Sequence, residues 1–203
     1  AKKERLGTAE SKRGRNAAQV AANLGIAALA ATPAQFMNIP HLMNWIKPTL
    51  PIGELLFLFL ISSISPIAAL AEATADTVSS ELGQVFGGTP RLITSLRKTA
   101  PGTDGGITLT GTLAGFAGAF ATAMIALVTQ NDGKILLHSK ADWYFFAMAS
   151  TGGIFGLLMD SVFGATLERK GWLNNDAVNF LSTLCAVVLV VAELAIFGFP
   201  IKG

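Results

Sequence analysis

Charged residues are scarce in this chain. Only 14% of its 203 residues are Asp, Glu, Lys or Arg, whereas a soluble domain carries about 25%. The charges are clustered, and the long stretches between them raise the mean hydropathy to +0.52. This composition excludes an ordinary soluble domain and predicts an all-α protein, a polytopic transmembrane helical bundle.

Cysteine, histidine and several catalytic motifs are rare or missing. The lone Cys185 cannot form an internal disulfide, and its apolar surroundings indicate a small buried side chain. His41 and His138 fall in connections predicted to lie on the membrane side opposite the other polar motifs. The patterns GxxxxGK[ST], GxSxG and HExxH are all absent, which excludes the corresponding nucleotide-binding and hydrolase signatures. A net charge of +2 gives no reason to expect a nucleic-acid partner.

Five apolar runs follow a basic N-terminal segment, residues 1–16. A helix needs about 20 residues to cross the hydrocarbon core, and its backbone polar groups must be satisfied within the helix. We therefore predict a single integral membrane domain over residues 1–203, with about five spans, the second of them ending near Asp76. The runs, of which the first is the shortest, are 17–31, 55–71, 107–128, 143–163 and 177–197.

The distribution of Lys and Arg predicts the orientation of the chain. If the connections alternate between the two membrane sides, eleven of the fifteen Lys and Arg residues share the side of the N-terminus. The positive-inside rule makes that side cytoplasmic, or stromal in a chloroplast-type membrane. Connections 75–106 and 166–176 fall on the same side, and we predict that they are active-site loops in a bacterial inner membrane or a chloroplast-type membrane.

Three polar clusters lie at this membrane face. The stretch "ADTVSSELG" carries Asp76 and Glu81, and Asp160 lies just before the fourth span ends. Carboxylates inside a span are costly, so they usually face the protein interior or a wet cavity. The third cluster, "WLNNDAVN", opens the fifth span with Asn174, Asn175, Asp176 and Asn179.

The connection before the third span supplies cations and glycines. Arg97 and Lys98 precede a turn made of Gly102, Thr103, Asp104, Gly105 and Gly106. We expect this turn to be flexible, and backbone N–H groups beside a helix N-terminus form a natural anion site. Carboxylate and amide oxygens suit Mg²⁺ with substrate phosphates, and Arg and Lys suit phosphate oxygens. The combination predicts phosphate chemistry with a divalent metal.

Each acidic residue also has a structural interpretation. Asp76 and Glu81 could cap helices or pair with the nearby cations. Asp160 could belong to a packing network with the amides of the last span, and Asp176 could be a first-turn acid. Glu168 is interpreted as solvated or interfacial. The small-residue stripes predict close helix packing. They are Gly111, Gly115 and Ala119 in the third span and, with Asp160 among them, Gly152, Gly156 and Gly164 around the fourth.

Four sequence blocks carry a family resemblance. In chain order they are "ADTVSSELG", "APGTDGGITLTGTLAG", "MDSVFGATLE" and "WLNNDAVNF". They resemble the signature blocks of the integral membrane family that contains the phytyl-phosphate kinase of vitamin E synthesis, many of whose members have no settled function. For the plant members the resemblance implies transfer of a phosphoryl group from a nucleoside triphosphate to a prenyl monophosphate, giving the diphosphate.

The resemblance and the residue chemistry together give a hypothesis for the site. Arg97 and Lys98 would contact the nucleotide phosphates, and the glycine-rich turn would wrap around them. The amides of Asn174, Asn175 and Asn179 would complete the substrate site, and the prenyl tail would lie in a lipid-open groove along the glycine-rich helices. The catalytic residues, which would also hold one or two Mg²⁺, are Asp76, Glu81, Asp160 and Asp176.

Other classes of function stay open. Intramembrane acids and helices broken by Gly or Pro also mark transport pathways, so a transporter or lipid scramblase is one alternative. A prenyl or lipid cytidylyltransferase is another. We expect membrane lipid and a prenyl phosphate as partners and no nucleic acid, and a homo-oligomer is an open possibility.

Overall fold

The computed structural model describes residues 17–37, 51–130 and 139–198. Two short strands, β1 (Arg91–Leu92) and β2 (Gly106–Ile107), pair antiparallel, and a π-helical turn, Gly164–Glu168, extends the fourth helix. The basic segment 1–16 lies outside the described residues. In the described part of the chain the α-helices are α1 (Ala17–Met37), α2 (Ile52–Phe86), α3 (Leu109–Gln130), α4 (Lys140–Phe163) and α5 (Asn175–Phe197).

The prediction of a multi-span helical membrane protein is confirmed. Helices α2, α3 and α5, and α4 with its π-helical extension, are long and apolar enough to cross a membrane, whereas the apolar part of α1 is shorter. Helix α2 occupies the centre of the bundle and contacts each of the other four helices. Its buried face consists largely of alanine, serine and glycine, and small side chains let helices approach closely where lipid supplies no hydrophobic driving force.

The glycine stripes are closely packed helix contacts. A Cβ on Gly115 of α3 would lie 3.0 Å from the Ala75 carbonyl oxygen of α2. A Cβ on Gly152 of α4 would lie 2.8 Å from Ala68 Cβ, also on α2. The packing interpretation of these glycines therefore holds. At these contacts the glycines face α2, and the prenyl groove stays a prediction.

Helix α2 is longer than its apolar run predicted. The expected end was near Asp76, but the helix continues ten residues further, to Phe86. Hydroxyl side chains in this polar extension donate to backbone carbonyls of the same helix, as Thr77 Oγ1 does to Ala73 O at 2.8 Å. The helix ends at Gly87, whose N–H donates to Gly83 O at 2.9 Å. Glu81 is therefore part of the helix and does not follow its end.

Side-chain caps set the starts of the last two helices. Helix α4 begins with a capping box, in which Asp142 N donates to Ser139 Oγ at 3.1 Å and Ser139 N donates to Asp142 Oδ2 at 3.0 Å. Helix α5 begins with Asn174, whose Oδ1 accepts from Ala177 N at 2.9 Å. These bonds satisfy backbone donors that the first helical turn leaves without partners, and they give Asp142 and Asn174 structural roles.

Candidate functional site

A polar cavity of about 300 Å³ lies at one end of the bundle. Its walls come from the N-terminal halves of α1 and α5, the C-terminal halves of α2 and α4, the π-helical turn, and the loop that leads into α3. Antiparallel neighbours bring these helix ends together, as the alternating topology predicted. The predicted site residues in the walls are Asp76, Gly102, Thr103, Asp104, Gly105, Gly106, Asp160, Asn175 and Asn179.

Five predicted site residues lie outside these walls. Glu81 is exposed on α2, and Arg97 and Lys98 are exposed in the segment between the two strands. Asn174 caps α5, and Asp176 is an acid in the first turn of that helix. The structural interpretation of Asp176 fits this position, because a carboxylate there is stabilised by the positive end of the helix dipole.

The floor of the cavity has two layers. Asp76 of α2, Asp160 of α4 and Asn179 of α5 form the upper layer, which faces the cavity. One turn deeper on the same helices lie Glu72, Gly156 and Ser182. Ser182 Oγ donates to Glu72 Oε1 at 2.7 Å, and both side chains are buried. Gly156 is required beside this pair, because a Cβ there would collide with Glu72 Cγ.

Neighbouring carboxylates interact pairwise from the buried Glu72 to Asp104 in the loop before α3. Asp76 interacts with both Glu72 and Asp160. Asp160 also interacts with Glu168, which in turn interacts with Asp104. None of the described residues in the cavity walls is Lys, Arg or His. Like charges at such proximity repel one another, so the cavity favours a cationic occupant.

The cavity holds oxygen groups of the chemical kind that binds hard cations. Asp160 Oδ1 is shielded from solvent and has no hydrogen-bond partner within the described residues, and the amides of Asn175 and Asn179 share the cavity with it. Among the described residues, no three Asp, Glu, His or Cys side chains are arranged to hold a metal ion. One or two carboxylates with neighbouring amide oxygens are a donor set that suits Mg²⁺, which commonly completes its coordination with waters and substrate phosphates.

The glycine-rich turn has a defined conformation held by its own hydrogen bonds and by packing on α4. Gly102 and Gly105 have φ angles of 82° and 70°, which favour glycine. Thr103 N donates to Ala100 O at 3.2 Å, and Gly106 N donates to Thr103 O at 2.9 Å. The backbone of Gly105 packs so closely on Ala165 that no Cβ would fit between them. The turn is therefore seated on the π-helical extension of α4.

Sequence reasoning missed several residues of the cavity walls. Glu168, for which the sequence predicts a solvated or interfacial position, is half-buried and lines the cavity on the π-helical turn, for which no sequence pattern gives a signal. Asn23 was available as a polar residue in the apolar run of α1, and Ser161 as the neighbour of Asp160.

The fold and the cavity together define a multi-pass integral membrane protein with a polar site at one end of its helices. The chain belongs to the family described as integral membrane protein DUF92, whose profile matches residues 1–187. The resemblance drawn from the four sequence blocks is therefore confirmed, and the family includes the phytyl-phosphate kinase of vitamin E synthesis. No solved structure is significantly similar to this chain.

Curated relatives of the chain occur in archaea, cyanobacteria and plants. An uncharacterized membrane protein of Methanocaldococcus jannaschii is 41% identical over 74% of this chain and 59% of its own length. An uncharacterized membrane protein of Synechocystis is 32% identical over 62% of this chain and 45% of its own length. The chloroplastic protein VTE6 of Arabidopsis thaliana is 30% identical over 63% of this chain and 37% of its own length. The chain thus spans roughly two fifths to three fifths of the length of these relatives.

Proposed function

We propose that the protein is a membrane-embedded phosphotransferase. It would convert a prenyl, phytyl-like monophosphate to the diphosphate with a nucleoside triphosphate as donor and Mg²⁺ as cofactor. The observation that carries the proposal is the cavity, in which Asp76, Asp160, two Asn amides and the glycine-rich turn meet at one end of the bundle. Membership of the family that contains the phytyl-phosphate kinase supports this reaction and this substrate class.

Two carboxylates of the upper floor layer would hold the metal. Asp76 and Asp160 supply hard oxygen ligands, and the Asp160 oxygen without a partner gives a reason to place a cation there. When bound, Mg²⁺ would supply charge neutralisation for phosphoryl transfer. Asn175 and Asn179 would orient a carboxylate or the acceptor phosphate. Glu81 and Asp176 have no assigned part in this arrangement, because they lie outside the cavity walls.

The proposed reaction needs no strong general base. A phosphate monoester acceptor is ionised near neutral pH, so its oxygen is already a nucleophile. Catalysis would then consist of positioning and charge neutralisation. The turn would contribute N–H groups of residues other than Thr103 and Gly106, whose N–H groups donate inside the turn. The start of α3 follows this turn directly, and a helix N-terminus favours phosphate.

The test is a product analysis of the purified protein in detergent. It is incubated with Mg²⁺, several nucleoside triphosphates and a panel of prenyl monophosphates, and the lipid products are identified by mass. A prenyl diphosphate supports the kinase. A nucleotide-linked lipid would identify a cytidylyltransferase, and uptake into liposomes without nucleotide turnover would identify a transporter.

A metal-binding measurement separates the cation site from the reaction. Mn²⁺ binding, followed by electron paramagnetic resonance, should weaken at least about tenfold in Asp160→Asn, because a carboxylate ligand becomes a neutral amide. Asp142→Asn is the matched control, since Asp142 lies at the far end of the same helix in a capping box. Equal Mn²⁺ affinity in the two variants would remove Asp160 from the proposed metal site.

A further inference from the structure

Charges around the cavity are segregated. Acids line its interior, whereas four exposed cations lie as adjacent pairs on two tips, and Arg91 lies on β1 beside the first of them. The hairpin tip, residues 96–98 between β1 and β2, carries Leu96, Arg97 and Lys98. The second tip, residues 169–172 between the π-helical turn and α5, carries Arg169, Lys170 and Trp172. Each tip combines two adjacent cations with one large exposed apolar side chain.

The backbone of the hairpin tip is fixed. Leu96 has a φ of 55°, which a branched side chain rarely adopts. Its N–H donates to Leu92 O at 2.7 Å, and its carbonyl accepts from Arg91 Nη1 at 2.7 Å. Strained backbone persists where the surrounding bonds determine it. Leu96 remains 61% exposed in this turn, so the hairpin holds a large apolar side chain outward.

The second tip is also held by specific contacts. Lys170 Nζ lies 5.0 Å from the centroid of the Trp172 ring, which is a cation–π geometry. Trp172 N donates to Leu167 O at 3.0 Å, and Gly171 N donates to Glu168 O at 2.8 Å. Trp172 is 71% exposed. An indole beside an ammonium group suits the membrane interface, where one part of the side chain is apolar and the other is wet.

We propose that the two tips form a docking surface for anionic phospholipid headgroups. Arg97, Lys98, Arg169 and Lys170 would contact the headgroup phosphates, and Leu96 and Trp172 would enter the boundary of the acyl chains. Cations near an anionic bilayer surface are attracted to it, and apolar side chains add burial in the interface. A soluble phosphate would gain nothing from the exposed leucine and tryptophan, so the pairing favours a lipid. This surface does not depend on the proposed reaction.

The test compares lipids that differ in headgroup charge. The purified full chain in neutral detergent is titrated with phosphatidylglycerol or with phosphatidylcholine of the same acyl chains, and binding is followed by native mass spectrometry. Lys98→Gln and Lys170→Gln should each weaken phosphatidylglycerol binding about fivefold, the effect of one basic residue at a charged surface. Lys140→Gln is the matched control, because Lys140 is exposed at the opposite end of the bundle; its affinity should be unchanged.

Variants of the two apolar side chains and competition by inorganic phosphate provide two further tests. Leu96→Ser and Trp172→Ser should weaken phosphatidylglycerol binding, and inorganic phosphate should not displace the lipid. Each lysine variant should bind phosphatidylcholine as the unaltered chain does, and each serine variant should elute as the unaltered chain does in size-exclusion chromatography, which shows that the variants are folded. The proposal would be overturned if the variants of both tips kept their phosphatidylglycerol affinity, or if Lys140→Gln lost as much of that affinity as they do. Displacement of the lipid by inorganic phosphate would also overturn it.

Discussion

At the residue scale, Glu72 shows how a membrane helix bundle accommodates a sealed carboxyl group. The side chain is 2% exposed, and its Oε1 accepts from Ser182 on another helix. Gly156 on a third helix has no side chain, and the Glu72 side chain occupies the space that a Cβ there would need. A polar group buried without a partner costs about 1–3 kcal/mol. The three residues are therefore interdependent, and they support the layer that carries Asp76 and Asp160.

Removal of the Glu72 side chain should destabilise the protein. We expect Glu72→Ala to lower the free energy of unfolding by about 2 kcal/mol, because it removes the interhelical hydrogen bond and leaves a cavity. Glu72→Gln keeps an acceptor for Ser182 and should cost less. Glu54→Ala is the control, since Glu54 is exposed in the first turn of the same helix. Unfolding in detergent measures all three, and equal stability of Glu72→Ala and Glu54→Ala would contradict the structural role.

The four acids predicted as metal ligands should differ in how much their substitution lowers the reaction rate, with a large effect for two of them and a small effect for the other two. Asp76→Asn and Asp160→Asn should lower the rate of the proposed phosphoryl transfer at least about a hundredfold, a typical effect of losing one electrostatic contact in a transition state. Glu81→Gln and Asp176→Asn should change the rate less than about threefold, because these side chains lie outside the cavity walls. Steady-state rates at saturating Mg²⁺ measure the effect. A large loss in Glu81→Gln would restore Glu81 to the site.

At the element scale, the glycine-rich turn packs directly on the π-helical turn, and both segments line the cavity. Gly105→Ala should lower phosphoryl transfer at least about tenfold, because the new Cβ would collide with Ala165 and displace the turn. Gly171→Ala is the matched control, since its φ of 71° imposes the same backbone penalty but no atom lies within 4 Å of the new Cβ. If both variants lose activity equally, backbone strain alone explains the effect.

The elements show which features of the sequence were sufficient for prediction. Apolar runs located the spans because burial in lipid demands uninterrupted apolar length. They misplaced the end of α2, because residues 77–86 stay helical without being apolar. The polar cluster predicted at the start of the fifth span is partly confirmed in position, because Asn175 and Asn179 line the cavity whereas Asn174 caps the helix. The position of Glu168 depends on a single π-helical turn, which leaves no periodic trace in the sequence.

At the scale of the whole molecule, the alternating helices concentrate polar chemistry at one end. That end carries the acidic cavity and both cationic tips. The opposite end carries the capping box of α4 and, in the described residues, the separate exposed charges of Glu54 and Lys140. Each connection at the site end carries cations, which the positive-inside rule assigns to the cytoplasmic side. We therefore propose that the cavity opens toward the cytoplasm or the chloroplast stroma, where nucleoside triphosphates are available.

Cysteine accessibility tests this orientation. The lone Cys185, half-buried in α5, is first replaced by alanine, and Arg169→Cys and Lys140→Cys are made separately as markers of the two ends. In intact bacterial cells an impermeant maleimide should label the cysteine at position 140 and spare the one at 169; after permeabilisation it should label both. Eleven of the fifteen Lys and Arg residues lie on one predicted side, and this bias makes the reverse insertion unfavourable. Labelling at 169 alone in intact cells would invert the orientation and place the cavity outside the cytoplasm, where a nucleotide-dependent reaction would lack its donor.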